Sequence, residues 1–363
     1  MRRCYVLGDI PGTVQRRAFH IVTSKQPRPS ARGVIYCDGG TDDLFRDGVD
    51  LQLSHWIPNQ TPRDLKADTS TEICMNFVAS GDSRFELVVN NHADVDGVLS
   101  MFTLVVGEEA QAHRATLIAA AEMGDFWAWG EPRAQALFQT LTVLIRKLQA
   151  EQCDANALYQ QCFDHVAAFL SRESEEAGLE PLRESVVLVE RGDVARTVVG
   201  ERFARYVIPR RLVADLQRAL RVPSFNMPVS SECLLWPQAR ARFDRERVHL
   251  VSVEADGGWY HDLWYPGYTW ADTPRSWRPR GLVFADGGSN EYVLDDAALT
   301  AAVDRLSGLE RATGQWTLAR RVTPFSTLEG RGFPVVLSFM AGGAPARSSL
   351  DPELVTEHLA QVH

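Results

Sequence analysis

One stretch constrains this chain more than any other: Leu87-Val-Val-Asn-Asn-His-Ala-Asp-Val-Asp-Gly-Val-Leu-Ser100. Leu87, Val88 and Val89, preceded by Phe85, form a short apolar run that reads as a buried strand of a parallel sheet. The run ends in a cluster of one imidazole and two carboxylates, His92, Asp94 and Asp96. Gly97 follows, and Val98, Leu99, Met101, Phe102 and Leu104 then recur like the apolar side of a helix. A strand end that opens into a helix is where α/β sheets gather ligands. Hard oxygen donors beside an imidazole suit Mn²⁺, Mg²⁺, Fe²⁺ or Zn²⁺. An Asp-rich turn that merely caps the helix is the simpler alternative; His92, two residues upstream of the acids, favours the metal.

The whole chain sets the bounds around that stretch. Its 363 residues suffice for a sizeable core and two domains. The net charge of -9, from 38 basic and 47 acidic side chains, argues against a long nucleic-acid partner. It is compatible with a small anionic phosphate substrate held by local arginines. Lysine occurs only as Lys25, Lys66 and Lys147, so nearly all positive charge is arginine. The cysteines at 4, 37, 74, 153, 162 and 233 form no C-x-x-C pair, and most sit in apolar contexts, as reduced core cysteines do. The first residues lack an apolar signal region, and no run approaches membrane-spanning length. The expectation is a cytoplasmic protein without a membrane partner; a homo-oligomer is left open.

Taken in order, Cys4–Leu7 and His20–Thr23 read as short strands, and the prolines of Lys25–Arg32 mark a loop. Gly33-Val-Ile-Tyr-Cys-Asp38-Gly-Gly-Thr-Asp42-Asp43 repeats the layout of a strand followed by acids. Asp38 is the stronger ligand candidate there, because it directly follows the strand, with Gly39 and Gly40 allowing close backbone approach; a glycine turn with solvated acids is the alternative. Val49–Ser54 alternates as a half-exposed strand does and delivers His55 and Trp56 at its end. His55 is a ligand or a hydrogen-bonded structural histidine. Thr69-x-x-Glu72 is a capping box for a helix through Ile73, Met75 and Phe77. Helices are expected over Glu109–Met123, Glu131–Gln149 and Ala157–Leu170, and Asp125 either caps a turn or carries a further carboxylate into the site.

Beyond the polar linker Arg172–Gly178 the character changes. Val186–Val189, Val248–Val253 and Gly281–Phe284 read as strands, with helices around Arg211–Leu220 and Asp295–Arg305. Trp259–Trp270 is densely aromatic, and Arg275, Trp277, Arg278 and Arg280 follow. This segment reads as a stacking and phosphate-clamping surface, with Arg275, Arg278 and Arg280 as substrate-binding groups, or as a packed aromatic segment. The fold class expected is α/β, a mostly parallel sheet flanked by helices over 1–178, with a second α+β domain over 179–363 that serves as a substrate-binding cap.

His92-Ala-Asp94-Val-Asp96-Gly97-Val-Leu-Ser100 resembles the first motif of the DHH phosphoesterase superfamily, H-x-D-x-D-G-x-x-S after a hydrophobic strand. The resemblance covers about ten residues. It implies a hydrolase of small phosphoesters or phosphoanhydrides (nucleotides, short oligonucleotides or polyphosphate) that binds two ions, usually Mn²⁺, with Mg²⁺ or Fe²⁺ as alternatives. On this reading Asp38, His55, His92, Asp94, Asp96 and Asp125 are the metal ligands, and His92, Asp94 and Asp96 carry catalysis. Leu53-Ser-His-Trp56 stands where the family has D-H-H, and Asp38 and His55 precede the first motif instead of following it, so either the order is permuted or these two residues are unrelated to the family's motifs. Asp94-Val-Asp96-Gly-Val-Leu also resembles the nucleophile motif of haloacid dehalogenase-like phosphatases, with Asp94 as nucleophile and Asp96 as acid/base. That family's strand runs straight into its first Asp, whereas Asn90 to Ala93 intervene here. A non-catalytic scaffold with a degenerate site is the third reading. The metal reading makes a geometric demand: Asp38, His55 and Asp125 must converge on His92, Asp94 and Asp96, as parallel strands permit by bringing their carboxyl ends to one edge.

Overall fold

Ala18–Ile21 (β1), Val34–Cys37 (β2), Leu51–Leu53 (β3) and Leu87–Asn90 (β4) are parallel strands in the order β1-β4-β2-β3. The computed structural model describes residues 10, 14, 16–172, 177–275, 277–285, 290–325 and 328–363, and the expected strand Cys4–Leu7 lies outside them. Every residue of β2 and β4 is buried, as continuous apolar runs covered on both faces should be. β1 begins two residues earlier than the expected His20–Thr23. β3 is not the half-exposed strand that its alternation suggested. Gln52 is buried, donating to Gly39 O at 2.9 Å and accepting from Gln60 N at 2.8 Å, so a polar side chain occupies a covered position because its hydrogen bonds are met.

The chain crosses from β3 through Ser70–Ala79 (α1) to insert β4 between β1 and β2, and then enters Val95–Val106 (α2). Thr69 caps α1, its side chain accepting from Glu72 N. All of α2 is buried, the signature of a helix without a solvent face. The expected helix Glu109–Met123 is two, Glu108–Gln111 (α3) and Arg114–Asp125 (α4), so Asp125 is the last helical residue and not part of a following turn. Pro132–Ala150 (α5) and Ala155–Leu170 (α6) complete the helices of this part. The chain divides into two compact units, one of Met1–Asp125, Trp129–Ala177 and Ala271–Arg275, the other of Phe126–Ala128, Gly178–Trp270 and Ser276–His363.

The second unit corrects several expectations. Val186–Val189 is not a strand but the end of Glu180–Glu190 (α7). Leu182, Ser185, Val186 and Val189 form its buried face at helical spacing, and a four-residue apolar run cannot by itself separate strand from buried helix. Ala195–Val199 (β5), Phe203–Ile208 (β6), Val248–Ala255 (β7), Gly258–Trp264 (β8), Gln315–Leu318 (β11) and Val335–Ala341 (β13) form a mixed sheet in the order β11-β13-β8-β7-β6-β5, with Ala344–Pro345 (β14) paired to β13. Leu282–Phe284 (β9), Tyr292–Leu294 (β10) and Arg321–Val322 (β12) form a small antiparallel one. The helix expected over Arg211–Leu220 is a 3₁₀ turn, Arg210–Leu212, followed by Leu216–Ala219 (α8). Pro237–Asp244 (α9), Ala297–Leu309 (α10) and Pro352–Ala360 (α11) are the remaining described helices. The aromatic stretch begins as strand β8, and Trp264, Tyr265, Tyr268 and Trp270 are all buried.

Two histidines of this sheet give a pH prediction. His249 Nε2 lies 2.8 Å from Asp244 O and must donate to it, which leaves Nδ1 to accept from Arg240 Nη1 at 3.1 Å. His261 donates from Nε2 to Leu350 O at 3.0 Å and accepts at Nδ1 from Ser252 Oγ at 2.9 Å. Both rings are therefore held neutral. Burial, reinforced by the nearby Arg240 charge, pushes His249 down to about 3, and burial pushes His261 down to about 4. Below the ordinary imidazole value of about 6.5 the unfolded chain takes up protons that these folded rings refuse. Stability is thus lost as pH falls from that value towards the folded ones. The ring C–H resonances of both histidines are expected to keep their neutral positions down to about pH 5; a midpoint near the ordinary value for either ring would contradict this arrangement.

Candidate metal centre

Parallel strands end on one edge of their sheet, and three of the expected residues arrive there from three strands. Asp38 directly follows β2, His55 lies two residues beyond β3, and His92 two residues beyond β4. Asp94 is the N-cap of α2, its Oδ1 accepting from Gly97 N at 2.8 Å. Asp96 lies in the first turn of α2, and α4 delivers Asp125 from its C-terminal end. The six residues form two groups that share Asp38. Asp38, His55, Asp96 and Asp125 each offer a ligand atom within 4.8 Å of the others, and so do Asp38, His92 and Asp94. Such spacing is close to that of ligands on opposite sides of one ion, about twice a bond of roughly 2.1 Å.

The first group is closed, with exposures of 0–1 %. His55 Nε2 lies 3.6 Å from Asp38 Oδ1, 3.6 Å from Asp96 Oδ2 and 3.3 Å from Asp125 Oδ2. Its other nitrogen, Nδ1, is 2.7 Å from Asp68 O, an acceptor only, so Nδ1 carries a proton and Nε2 faces the three carboxylates. Asp96 accepts from Ser70 N and Thr71 N, both at 2.8 Å, which seats its carboxylate on the N-terminus of α1. Trp56 Nε1 donates to Asp38 Oδ1 at 3.0 Å.

The second group is open. The His92 side chain is 30 % exposed, and its Nε2 lies 3.3 Å from Asp38 Oδ2 and 3.2 Å from Asp94 Oδ2. Asn91 Oδ1, 2.8 Å from Nδ1, orients the ring. Asp38 Oδ2 and His92 Nε2 are buried atoms with no hydrogen-bond partner among the described residues; they are close but not aligned as donor and acceptor. Unsatisfied buried atoms of this kind, oxygen beside imidazole nitrogen with no sulfur in the set, suit a hard or borderline divalent cation.

The electrostatics lead the same way. Burial raises Asp96 to about 6, with the Asp38 charge adding to it, and burial together with Asp96 drives Asp125 well above the carboxylate range. Burial alone would lower both imidazoles. Asp125, Asp96 and Asp38 instead raise His55 to about 10, and Asp94 and Asp38 raise His92 well above its ordinary value. Burial also works against the Asp38 carboxylate, but His92 and His55 outweigh it and hold the group low. Four carboxylates packed this closely require positive charge among them, from protons on the imidazoles or from cations.

Other sequence candidates are not members of these two groups. Asp42 closes a turn, pairing with Arg28 at 3.1 Å and accepting from Tyr36 OH at 2.8 Å, while Asp43 is exposed. Gly39, at φ +146°, is needed where a Cβ would meet Asn91 Oδ1 at 2.7 Å, whereas Gly40 faces open space. Arg275 pairs with Asp68 at 2.7 Å and lies 3.6 Å from Glu122. In the second unit Arg278 donates to Thr269 O at 2.8 Å, and Arg280 is exposed before β9. The sequence reading passed over Tyr159 of α6, which accepts from Asn90 Nδ2 at 3.1 Å and donates to His92 O at 2.6 Å. No local pattern marks it, because it comes from a helix remote in sequence.

A protein-family profile described as a family of unknown function (DUF6687) matches residues 18–177, the stretch that holds all six residues. No curated protein and no solved structure matches the chain. Among the described residues no helix is long and apolar enough to cross a membrane.

Proposed function

We propose that the chain is a metal-dependent hydrolase of small phosphoesters or phosphoanhydrides, with Asp38, His55, Asp96 and Asp125 holding one divalent cation and Asp38, His92 and Asp94 a second. The observation that carries the reading is the shared carboxylate: Asp38 belongs to a closed group of four ligands and to an open group of three. Closed sites retain a metal, whereas open ones keep a position for water or substrate. When bound, such a pair supplies Lewis acidity to a phosphoryl oxygen and acidifies water.

The protein's own groups divide the remaining work. His55 is out of a substrate's reach, with its tautomer set by Asp68 O, so it serves the closed site alone. Asp96, both of whose oxygens are held by amides of α1, serves as a fixed anion. That role also weighs against the dehalogenase-like assignment, in which Asp96 would swing to protonate a leaving group. His92 and Asp94 border the open side, where they orient the phosphoryl group and an incoming water. Hard oxygen and imidazole donors suit Mn²⁺, Mg²⁺ or Fe²⁺ alike, and the resemblance to the DHH motif favours Mn²⁺ among them.

Metal content and turnover test this together. Purified protein reconstituted with Mn²⁺ is expected to hold two equivalents and to hydrolyse members of a panel of nucleotides, short oligonucleotides and polyphosphate, losing activity in excess chelator. Protein that takes up no metal, or turnover that chelator does not diminish, would remove the proposal.

A further inference from the structure

We infer that Arg275, from a segment about a hundred residues beyond the profile-matched stretch, is a positioning residue for the closed cation site. The inference rests on reading the pocket as a metal centre.

The argument begins at the turn Asp68–Thr71. Asp68 O accepts from His55 Nδ1, Ser70 Oγ accepts from His55 N at 3.2 Å, and the amides of Ser70 and Thr71 hold both oxygens of Asp96. One turn of chain therefore orients two of the four ligands. The side chain of Asp68 does not reach into the site; it pairs instead with Arg275 Nη2 at 2.7 Å. The same nitrogen lies 3.6 Å from Glu122 Oε1. Glu122 precedes Asp125 by three residues on α4, so it shares that ligand's side of the helix. Arg275 thus joins the turn that orients His55 and Asp96 to the helix that carries Asp125.

The neighbours of Arg275 act on the same loop. Asp272 N donates to His55 O at 2.8 Å, and the Asp272 carboxylate accepts from Asn59 Nδ2 at 3.1 Å and pairs with Lys66. Ala271–Arg275 is counted with the first unit although the chain on both sides of it belongs to the second. Exposure at the Arg275 pair is low, 14 % for Arg275, 16 % for Asp68 and 14 % for Glu122, so solvent screens it far less than a surface pair. Outer groups that fix ligand orientation typically govern metal affinity by tenfold or more. An arginine that ties the turn orienting two ligands to the helix carrying a third, without touching the ion, fits that role.

The test uses the full-length protein and does not depend on turnover. Mn²⁺ binding is titrated calorimetrically, the visible spectrum of the Co²⁺-loaded protein reports ligand geometry, and thermal unfolding reports the fold. Wild type is expected to bind two ions. Arg275→Gln should weaken one of them about tenfold or more and alter the Co²⁺ bands, leaving the other within about threefold. Arg275→Lys, which keeps a cation beside Asp68, should recover most of that loss. Asp68→Asn keeps the backbone carbonyl to His55 and should weaken the same ion, with the double variant no weaker than the worse single one. A folded Arg275→Gln with wild-type affinity and spectrum overturns the inference, as does an equal loss at both ions that tracks a fall in unfolding temperature. Should Arg275→Gln fail to fold, Asp68→Asn decides: wild-type binding in it is the refutation. Wild type that binds no cation overturns the metal centre itself, whereas two ions bound equally by wild type and Arg275→Gln overturn only the role of Arg275.

Discussion

Asp38→Asn is expected to lose both cations and to lower phosphoester hydrolysis by about a thousandfold or more, because the one carboxylate common to the two groups is neutralised. The substitution separates charge from fold unusually well. Asp38 has φ +46°, a left-handed conformation that most side chains avoid and asparagine tolerates. An amide oxygen can still accept from Trp56 Nε1, which donates to Asp38 Oδ1 at 3.0 Å. Backbone and packing are retained while the shared anion goes. Metal content and turnover would be measured on the same preparation, with circular dichroism to establish that the fold is kept. Two equivalents of bound metal in a folded Asp38→Asn protein would show that Asp38 is not the common ligand.

Gly97→Ala should be damaging where helix propensity alone predicts a gain. Alanine in a helix is ordinarily favoured over glycine by about 1 kcal/mol. At Gly97 a Cβ would stand 2.6 Å from Asn90 Nδ2, 2.8 Å from Asp38 Oδ2 and 3.1 Å from Asp94 Oδ1. Two of these atoms cannot retreat cheaply. Asn90 Nδ2 donates to Tyr159 OH, and Asp94 Oδ1 accepts the amide of Gly97 itself. Overpacking of this kind costs about 1–3 kcal/mol. Urea denaturation should show a net loss, and Mn²⁺ binding should weaken at the open group, which contains two of the three displaced side chains. A more stable Gly97→Ala protein with unchanged metal binding would mean that the pocket is looser than its geometry indicates.

The centre of the site was legible because its signals are local. A buried apolar run, an imidazole and two carboxylates, a glycine and then a helical period stand consecutively from Leu87 to Leu104, and each follows from spacing alone. Asp38 and His55 were reachable by the same logic, since each follows a strand and parallel strands share an edge. Asp125 was named as one of two alternatives, and its helix runs two residues beyond the expected end at Met123.

What the sequence could not provide is of two kinds. Short elements whose pattern is ambiguous were misread: Val186–Val189 is apolar enough for a strand, and only the buried face it shares with Leu182 and Ser185 makes it a helix. The alternation of Val49–Ser54 suggested exposure, and only hydrogen bonds to Gly39 O and from Gln60 N allow Gln52 to be covered. Contacts between remote segments were invisible. Nothing local assigns Tyr159 to His92, or Arg275 to Asp68 and Glu122. A sequence determines which side chains bear charge and which runs must be buried, because those properties belong to single residues and their near neighbours. Which charge meets which, and whether a buried polar atom finds a partner, depends on segments brought together by the fold, and only the tertiary structure decides that.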